Sequence, residues 1–388
     1  MERQAVLSAE AEARLRKLFT SNEPQNRARW AKEWKKGGGL VVGVLCTYVP
    51  VEVLVAAGIM PWRVSGTWTE KVDDALVIRS ANSCAYCNHV LQSLLDGDMD
   101  FLVGVVATTW EQDLIRLWDV WLHLGKSKFN HILHLPHYPS EETIRYYSGE
   151  IAEFVTAVGK FAGRKIGARD LDRAIKVCNR RRSLMMEVYE LRQREIPPLS
   201  GAEMAGLTVA GTLLPVEQFN KELEELLPYI RGRKTSLPSL TTRIMVSSDF
   251  VDNPAFVEAI EGAGCLVAMD DFDTGSRYYW QMVEVEGRER LAGLSRRYLG
   301  RTGSARMITW QAQIEQAAAW AKEYNIHGVI ELAQRYSRSR EMRRPFFLDR
   351  MKQAGVPAIS LERDYIPGNL GQLKNRVQAF LEMVAPVV

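Results

Sequence analysis

Short, wholly apolar runs that alternate with helix-patterned segments constrain the fold of this 388-residue chain more than any other feature. The runs Leu40–Pro50 and Phe101–Ala107 have the length of strands and carry no charged residue. Continuous apolar runs of this length are typical of strands buried on both faces of a parallel sheet. Helix-patterned segments follow each of them, at Val51–Gly58 and Gln112–Leu124. The alternation predicts an α/β unit with a parallel sheet.

A second α/β unit is predicted in the last third of the chain, because the alternation restarts at Thr242. Long amphipathic helices with charge-rich faces separate the two units, and Pro197 and Pro198 interrupt them. Within this helical part, Arg180–Arg182 are expected at the surface. Residues 8–36 are expected to form one helix before the first strand. The chain therefore divides into a helical segment (1–36), a first α/β domain (37–140), a helical segment (141–239) and a second α/β domain (240–388).

Composition excludes several classes of protein. The 50 basic and 47 acidic residues leave a net charge of only +3, which argues against a general nucleic-acid binder. No run approaches the roughly 18 apolar residues of a membrane span, and Met1–Phe19 lacks the apolar centre of a signal peptide. Five cysteines in so long a chain do not make a secreted disulfide framework. We expect a soluble, cytoplasmic protein without a nucleic-acid or membrane partner.

Two common nucleotide-binding motifs are missing from the sequence. There is no G-x-x-x-x-G-K-S/T, and no G-x-G-x-x-G follows a predicted strand. Gly37–Gly39 precedes the first strand, which is the wrong side for holding a phosphate. The chain itself should therefore neither hydrolyse ATP through a P-loop nor bind NAD in the Rossmann manner.

Cys84 and Cys87 form a C-x-x-C pair ahead of a helix-patterned run. Such a pair directs two thiolates at one point, as zinc, an iron–sulfur cluster or a redox disulfide requires. No second C-x-x-C completes a zinc site, and Cys46, Cys178 and Cys265 lie singly in apolar surroundings. Two buried, inert thiols are the alternative interpretation, since free cysteine is often a small core residue.

Several stretches spread over nearly the whole chain resemble the family of 2-hydroxyacyl-CoA dehydratase and benzoyl-CoA reductase subunits. They are, in order, Tyr48–Leu54, Ala56–Pro61 with Arg63, Cys84–Cys87, Asp249–Glu261, Asp270–Tyr279, Glu323–Ile330 and Gly355–Phe380. The resemblance implies two flavodoxin-like (Rossmann-like) domains with additional helices. It also implies a CoA thioester as substrate, a homologous partner subunit, 4Fe-4S clusters on cysteines, and a separate ATP-hydrolysing iron–sulfur activator that supplies an electron. The acyl group stays open, as does the choice between dehydration and ring reduction, both of which proceed through a radical.

The chain departs from the family pattern where cysteines are expected. Trp110, Asp273 and Ser337 stand at three positions where the family carries cysteine, so that Cys84 and Cys87 are the remaining candidate ligands. Three thiolates are the usual minimum for a cubane cluster. A cluster completed by oxygen ligands or by a partner chain is one interpretation. The other is a cluster-free subunit that shapes the substrate pocket or stabilises a cluster-bearing partner.

Two further residues are candidate catalytic groups. Glu52 begins a helix directly after a buried strand, where open α/β sheets place their ligand crevice, and a raised pKa would let its carboxylate move a proton. Its alternative role is to stabilise the helix dipole. His137 follows the strand that carries His131 and His134, whose side chains should point to opposite faces of the sheet. We therefore expect no three-histidine metal site, and His137 is the histidine expected in the crevice.

A cluster of arginines follows the predicted strand near residue 330. Arg335, Arg338 and Arg340 are candidate contacts to the phosphates of CoA, because the guanidinium fork matches phosphate oxygens. The alternative is a solvated, charged helix face.

Overall fold

The computed structural model of the protein describes residues 2–124, 127–235, 241–302, 306–368 and 370–384. These residues form two four-stranded sheets in which every pairing is parallel. The first sheet has the order β2-β1-β3-β4 and the second the order β6-β5-β7-β8. The strands are β1 Val41–Val44, β2 Met60–Arg63, β3 Gly104–Thr108, β4 Phe129–Leu133, β5 Thr242–Ser248, β6 Cys265–Phe272, β7 Gly328–Gln334 and β8 Ala358–Arg363.

Both sheets share the strand order of flavodoxin-like folds, and this confirms the predicted α/β architecture. The strands β1, β3, β5, β6 and β7 are buried at every position, as the apolar runs predict for β1 and β3. Helices connect consecutive strands and cover the faces of the sheets. The helices around the first sheet are α1 Glu2–Phe19, α2 Arg29–Lys36, α3 Glu52–Ala56, α4 Asp73–Ile78, α5 Ala85–Leu95 and α6 Gln112–His123.

The prediction of one helix over residues 8–36 is wrong, because α1 ends at Phe19 and α2 begins at Arg29. Residues 20–28 form turns instead. Pro24 has no N–H to continue a helix, and the amide of Asn22 donates to the distant carbonyl of Asp252. The backbone here forms local turns, and the Asn22 side chain ties the segment to the second α/β unit.

The helical middle of the chain is confirmed. It comprises α7 Glu141–Phe161, α8 Ala168–Glu190, a short 3₁₀ helix Leu191–Gln193, α9 Gly201–Leu213 and α10 Val216–Gly232. The end of the predicted helical segment, residues 236–239, lies outside the described residues. The domain boundaries at 36, 140 and 239 stay predictions. The helices of the last part are α11 Ala255–Glu261, α12 Ser276–Tyr279, α13 Arg290–Gly300, α14 Trp310–Glu323, α15 Arg338–Gln353 and α16 Leu370–Val384.

Helix α8 is an interior helix, so the expectation of a surface position is wrong for two of its three consecutive arginines. Arg180 is exposed, but Arg181 and Arg182 are each only 2% exposed. Their hydrogen bonds go to Gly211 and Glu52, which lie far away in the sequence. Arg192, just after α8, donates to the carbonyls of Val267 and Ala268 in β6 and so ties the helical middle to the second sheet.

The N-terminal helix packs closely on α9, and a glycine makes this possible. A Cβ atom added to Gly206 would lie 2.5 Å from the carbonyl oxygen of Phe19, a backbone atom that has little freedom to move. Among the described residues, no helix is long and apolar enough to cross a membrane.

We predict that Gly206→Ala destabilises the protein by about 1–3 kcal/mol, because the added methyl overpacks the contact between α9 and α1. Gly149→Ala is the matched control, since Gly149 lies on α7 and an added Cβ meets nothing within 4 Å. The control should gain up to about 1 kcal/mol from helix propensity. Urea unfolding followed by circular dichroism measures both. Equal midpoints for the two variants would contradict the close packing of α1 on α9.

Candidate functional site

The carboxyl-terminal ends of the strands in the two sheets face each other. The Oγ1 atom of Thr47, after β1, donates to Oδ2 of Asp273, after β6, at 2.8 Å. The ring of Tyr86 in α5 stacks on the ring of Phe250, after β5, with 4.7 Å between centroids. Parallel sheets bind ligands at the carboxyl ends of their strands. The facing ends therefore form a candidate ligand crevice.

A narrow cavity lies in this crevice, with an empty volume of about 610 Å³ that includes the space at its open side. Both sheets and the helical middle contribute to its walls, which are largely apolar. The polar and aromatic side chains that line it are Cys46, Thr47, Arg63, Ser65, Tyr86, Arg181, Thr212, Phe250, Asp252, Thr274 and Tyr278. The first α/β unit, the helical middle and the second α/β unit all have to be in place for the cavity to exist.

Arg63 is the functional candidate that sequence reasoning missed. It ends β2, and its guanidinium lies over the ring of Phe250, 5.1 Å from the centroid. Both Nη1 and Nη2 are buried, and neither has a hydrogen-bond partner within the described ranges. In the sequence, the feature that could have indicated Arg63 is its position at the carboxyl end of a strand in a parallel sheet.

The two cysteines of the C-x-x-C pair lie together, but they do not line the cavity. Cys84 is half-buried just before α5, and Cys87 is buried in its first turn. The hydrogen bond with Cys84, together with burial, raises the pKa of the Cys87 thiol well above its ordinary value. Cys87 is therefore protonated near neutral pH. A polar group from the second sheet, Nε2 of Gln334, lies 3.8 Å from Sγ of Cys84.

The three residues that the resemblance places at cysteine positions have structural contacts. The Trp110 ring packs between Tyr48 and Phe250, at centroid distances of 6.3 and 5.9 Å. Asp273 accepts a hydrogen bond from Nη2 of Arg301 at 3.2 Å, in addition to that from Thr47. The hydroxyl of Ser337 donates to Oδ2 of Asp249 at 2.9 Å.

These donors do not fit an iron–sulfur cluster. A cubane cluster takes mainly thiolates, and this crevice offers two thiols, Cys84 and Cys87, beside an indole and a carboxylate that is already bonded. Over the described ranges of the chain, no group of three or more His, Cys, Asp or Glu side chains is arranged to hold a metal ion.

Glu52, a predicted catalytic residue, is fully buried at the start of α3. Its Oε1 accepts from Nη2 of Arg182 at 2.5 Å, and its Oε2 accepts from the hydroxyl of Tyr298 at 2.9 Å. Burial alone would raise the pKa of Glu52, but the charges of Arg182 and Arg297 outweigh burial and hold the pKa below its ordinary value. A carboxylate that is ionised and bonded through both oxygens is a poor proton acceptor. These contacts favour a positioning role, and catalysis by Glu52 stays a prediction.

His137, the other predicted catalytic residue, follows β4 and does not line the cavity. Its carbonyl oxygen accepts a hydrogen bond from the backbone N–H of Ile308 at 2.8 Å. The His131 ring stacks on Phe154, with 4.9 Å between centroids, while His134 is exposed. The structure thus does not bring the three histidines together, and a catalytic role for His137 stays a prediction.

The predicted phosphate-binding arginines divide into two kinds. Arg335 and Arg338 lie at the surface, and Arg335 forms an ion pair with Asp364 at 3.2 Å. Arg340 is fully buried and forms ion pairs with Asp249 at 3.3 Å and Glu331 at 3.2 Å. The surface positions of Arg335 and Arg338 leave them accessible to a phosphate. A phosphate contact by Arg340 would require its ion pairs to open.

Two flavodoxin-like sheets with a cavity between their strand ends define an α/β protein with a candidate ligand-binding crevice. Residues 46–384 match the sequence model of the family described as 2-hydroxyglutaryl-CoA dehydratase, D-component. The chain belongs to this family.

Curated relatives of similar length support the assignment. The chain is 25% identical over 375 residues to one of the benzoyl-CoA reductase subunits of Thauera aromatica, covering 91% of this chain and 94% of the relative. It is 20% identical over 352 residues to the (R)-phenyllactyl-CoA dehydratase beta subunit of Clostridium sporogenes, covering 90% and 93%. It is 21% identical over 362 residues to the beta subunit of (R)-2-hydroxyglutaryl-CoA dehydratase of Acidaminococcus fermentans, covering 90% and 94%. By their names, these relatives are subunits of enzymes that act on CoA thioesters.

We predict that the stabilising effect of Asp249, at the end of β5, depends on pH. Burial alone would raise the pKa of Asp249, but the charges of Arg340 and Arg343 lower the pKa to about 2. The pKa in the unfolded chain is about 3.9, so the contribution is complete above that pH and is lost as the pH falls toward 2. Asp249→Asn should therefore destabilise the protein by about 3–5 kcal/mol at pH 7, since it removes one partner of a buried ion pair.

The difference in unfolding free energy between wild type and Asp249→Asn should shrink between about pH 4 and pH 2. Urea titrations at several pH values measure it. Asp119→Asn is the control, because Asp119 is an exposed ion-pair partner of Arg116 and should contribute at most about 1 kcal/mol. A difference that stays constant over this range would show that the ion pairs of Asp249 do not stabilise the fold.

Proposed function

We propose that this chain is one subunit of a hetero-oligomeric enzyme that carries out iron–sulfur-dependent radical chemistry on a CoA thioester, either 2-hydroxyacyl-CoA dehydration or aromatic acyl-CoA reduction. A homologous partner subunit would hold the cluster, and a separate ATP-hydrolysing iron–sulfur activator would supply the electron. The chain described here would form part of the acyl pocket without a cluster of its own. The observation that carries this proposal is a cavity at the strand ends beside Trp110, Asp273 and Ser337, none of which supplies a thiolate.

The chain's own residues would bind and shield the acyl group. Apolar and aromatic walls, including Tyr86, Phe250 and Tyr278, exclude water from the cavity. Exclusion of water strengthens the remaining polar contacts and protects reactive species from side reactions. The surface residues Arg335 and Arg338 follow β7 at the same carboxyl-terminal edge and would contact the phosphates of CoA.

The second candidate is a subunit that carries a cluster on Cys84 and Cys87, completed by oxygen ligands or by a partner chain. One observation favours it: Cys84 is half-buried, and its thiol reaches Gln334 at the end of β7 in the other sheet. A cluster that contacts both halves of the crevice would lie at this point.

Iron and acid-labile sulfide content after strictly anaerobic purification separates the two candidates. We expect no cluster in the isolated chain and a cluster in its complex with a homologous partner. Cys84→Ser and Cys87→Ser should not change the iron content of that complex, and neither should Cys178→Ser, a buried thiol on α8 that serves as the control. Iron near one cluster per isolated chain, lost in the first two variants only, would instead establish the cluster-bearing subunit.

We also predict that Arg335→Gln and Arg338→Gln each weaken the binding of acetyl-CoA by up to about fivefold, because each removes a solvent-exposed phosphate contact. The effect should decrease with added salt. Isothermal titration calorimetry of the assembled hetero-oligomer measures it, and Arg116→Gln, an exposed arginine on α6, is the control. Unchanged dissociation constants for both variants would rule out a CoA phosphate contact by these two arginines.

A further inference from the structure

The cavity contains a guanidinium group that lacks a counter-charge. Two buried arginines in the crevice region face a carboxylate: Arg182 pairs with Glu52, and Arg301 pairs with Asp273. Arg63 is half-buried. Arg63 has no such partner in the described part of the chain. Its Nη1 and Nη2 atoms are buried without an acceptor, and its guanidinium lies against the face of the Phe250 ring.

A second positively charged side chain adds to the excess of positive charge in the cavity. Arg181 also lines the cavity, and its two Nη atoms donate to neutral acceptors, the carbonyl of Gly211 at 2.7 Å and the hydroxyl of Tyr278 at 3.1 Å. The carboxylate that lines the cavity, Asp252, accepts a hydrogen bond from the hydroxyl of Tyr365. Across the described residues no ion pair joins Asp252 to a cation. The lining therefore holds two guanidinium groups and one carboxylate.

A buried charge without a partner costs several kcal/mol, and an anionic ligand would remove that cost. The shape of the Arg63 guanidinium group indicates which kind of anion would bind. Two unsatisfied Nη atoms on one planar guanidinium match the two oxygens of a carboxylate in a bidentate pair. The remaining walls, including Val44, Val51 and Phe250, suit a short hydrocarbon body.

We infer that the cavity binds a carboxylate on a short apolar or aromatic body, with Arg63 receiving the carboxylate and Phe250 contacting the body. The inference deepens the proposed function and rests on it, because the proposed function identifies this cavity as the acyl pocket. The carboxylate has two possible sources. It belongs either to a free organic acid or to the far end of an acyl group whose other end is joined to CoA.

Pairs of neutral and anionic probes of matched shape test the inference. Benzoate is compared with benzamide, and glutaryl-CoA with pentanoyl-CoA, whose acyl group has the same length but ends in a methyl group. Isothermal titration calorimetry is carried out on the full-length chain and on its complex with a homologous partner. Wild type should prefer the carboxylate of at least one pair by about tenfold or more, the effect of one charge-assisted contact.

Arg63→Gln should abolish the preference, while Arg63→Lys should retain part of it, because the charge remains but the fork is lost. Arg116→Gln, an exposed arginine outside the cavity, should leave the preference unchanged. Each variant carries an internal control, since the neutral probe reports whether the cavity is still formed. A preference confined to benzoate identifies the free acid as the source, and a preference for glutaryl-CoA identifies the acyl-CoA.

Equal binding within both pairs, or a preference that persists in Arg63→Gln, would overturn the inference. If CoA thioesters bind but neither pair of probes shows an Arg63-dependent preference, the inference fails while the proposed function stands. If benzoate is preferred in an Arg63-dependent manner but no CoA thioester binds, the proposed function fails and the carboxylate site stands. Absence of binding by every probe would overturn both.

Discussion

The arrangement of the two sheets depends on the buried carboxylate of Asp273. It accepts hydrogen bonds from Thr47 of the first α/β unit and from Arg301, whose guanidinium also lies 4.1 Å from the centroid of the Tyr48 ring. Asp273 and Arg301 are each only 1% exposed. Removal of either charge would leave the other buried and unpaired, at a cost of about 3–5 kcal/mol. Asp273, which the resemblance places at a family cysteine position, thus connects the two halves of the protein.

The side chains that surround the crevice pack closely on one another. Phe250 lies at its centre, with Tyr86 stacked on one side, Trp110 at its edge and the Arg63 guanidinium over its face. Aromatic packing of this kind is dense and leaves little room for side chains to reorient. The unpaired guanidinium of Arg63 is therefore held in place before a ligand arrives, which reduces the entropic cost of binding.

The sequence predicts the sheets well, because a strand buried on both faces shows in a local apolar run, as in Leu40–Pro50 and Phe101–Ala107. It predicts the site less well, because the environment of a charged side chain depends on residues far away in the chain. Glu52 and Arg182 are 130 positions apart, and this pair lowers the Glu52 pKa that burial alone would raise. The same reason explains why Arg182 is buried in a helix whose composition predicts a surface. For Arg63 the sequence indicates only a position at the end of a strand. That its guanidinium lacks a partner can be seen only in the three-dimensional structure, because the cavity is formed by distant parts of the chain.

The packing of Trp110 explains why this crevice suits a hydrocarbon ligand better than a cluster. The indole is 6% exposed and fills the space between Tyr48 and Phe250. A cysteine at this position would supply a thiolate but would leave a cavity, and large-to-small changes at buried aromatic residues cost about 3–5 kcal/mol. A cluster bound by thiolates at positions 110 and 273 would therefore need both the loss of this packing and the loss of the Asp273 ion pair. Binding of an organic ligand in the apolar cavity, beside the unpaired Arg63, requires neither of these losses. The residues that stabilise the crevice therefore also favour its use as a pocket for a small, anionic organic ligand.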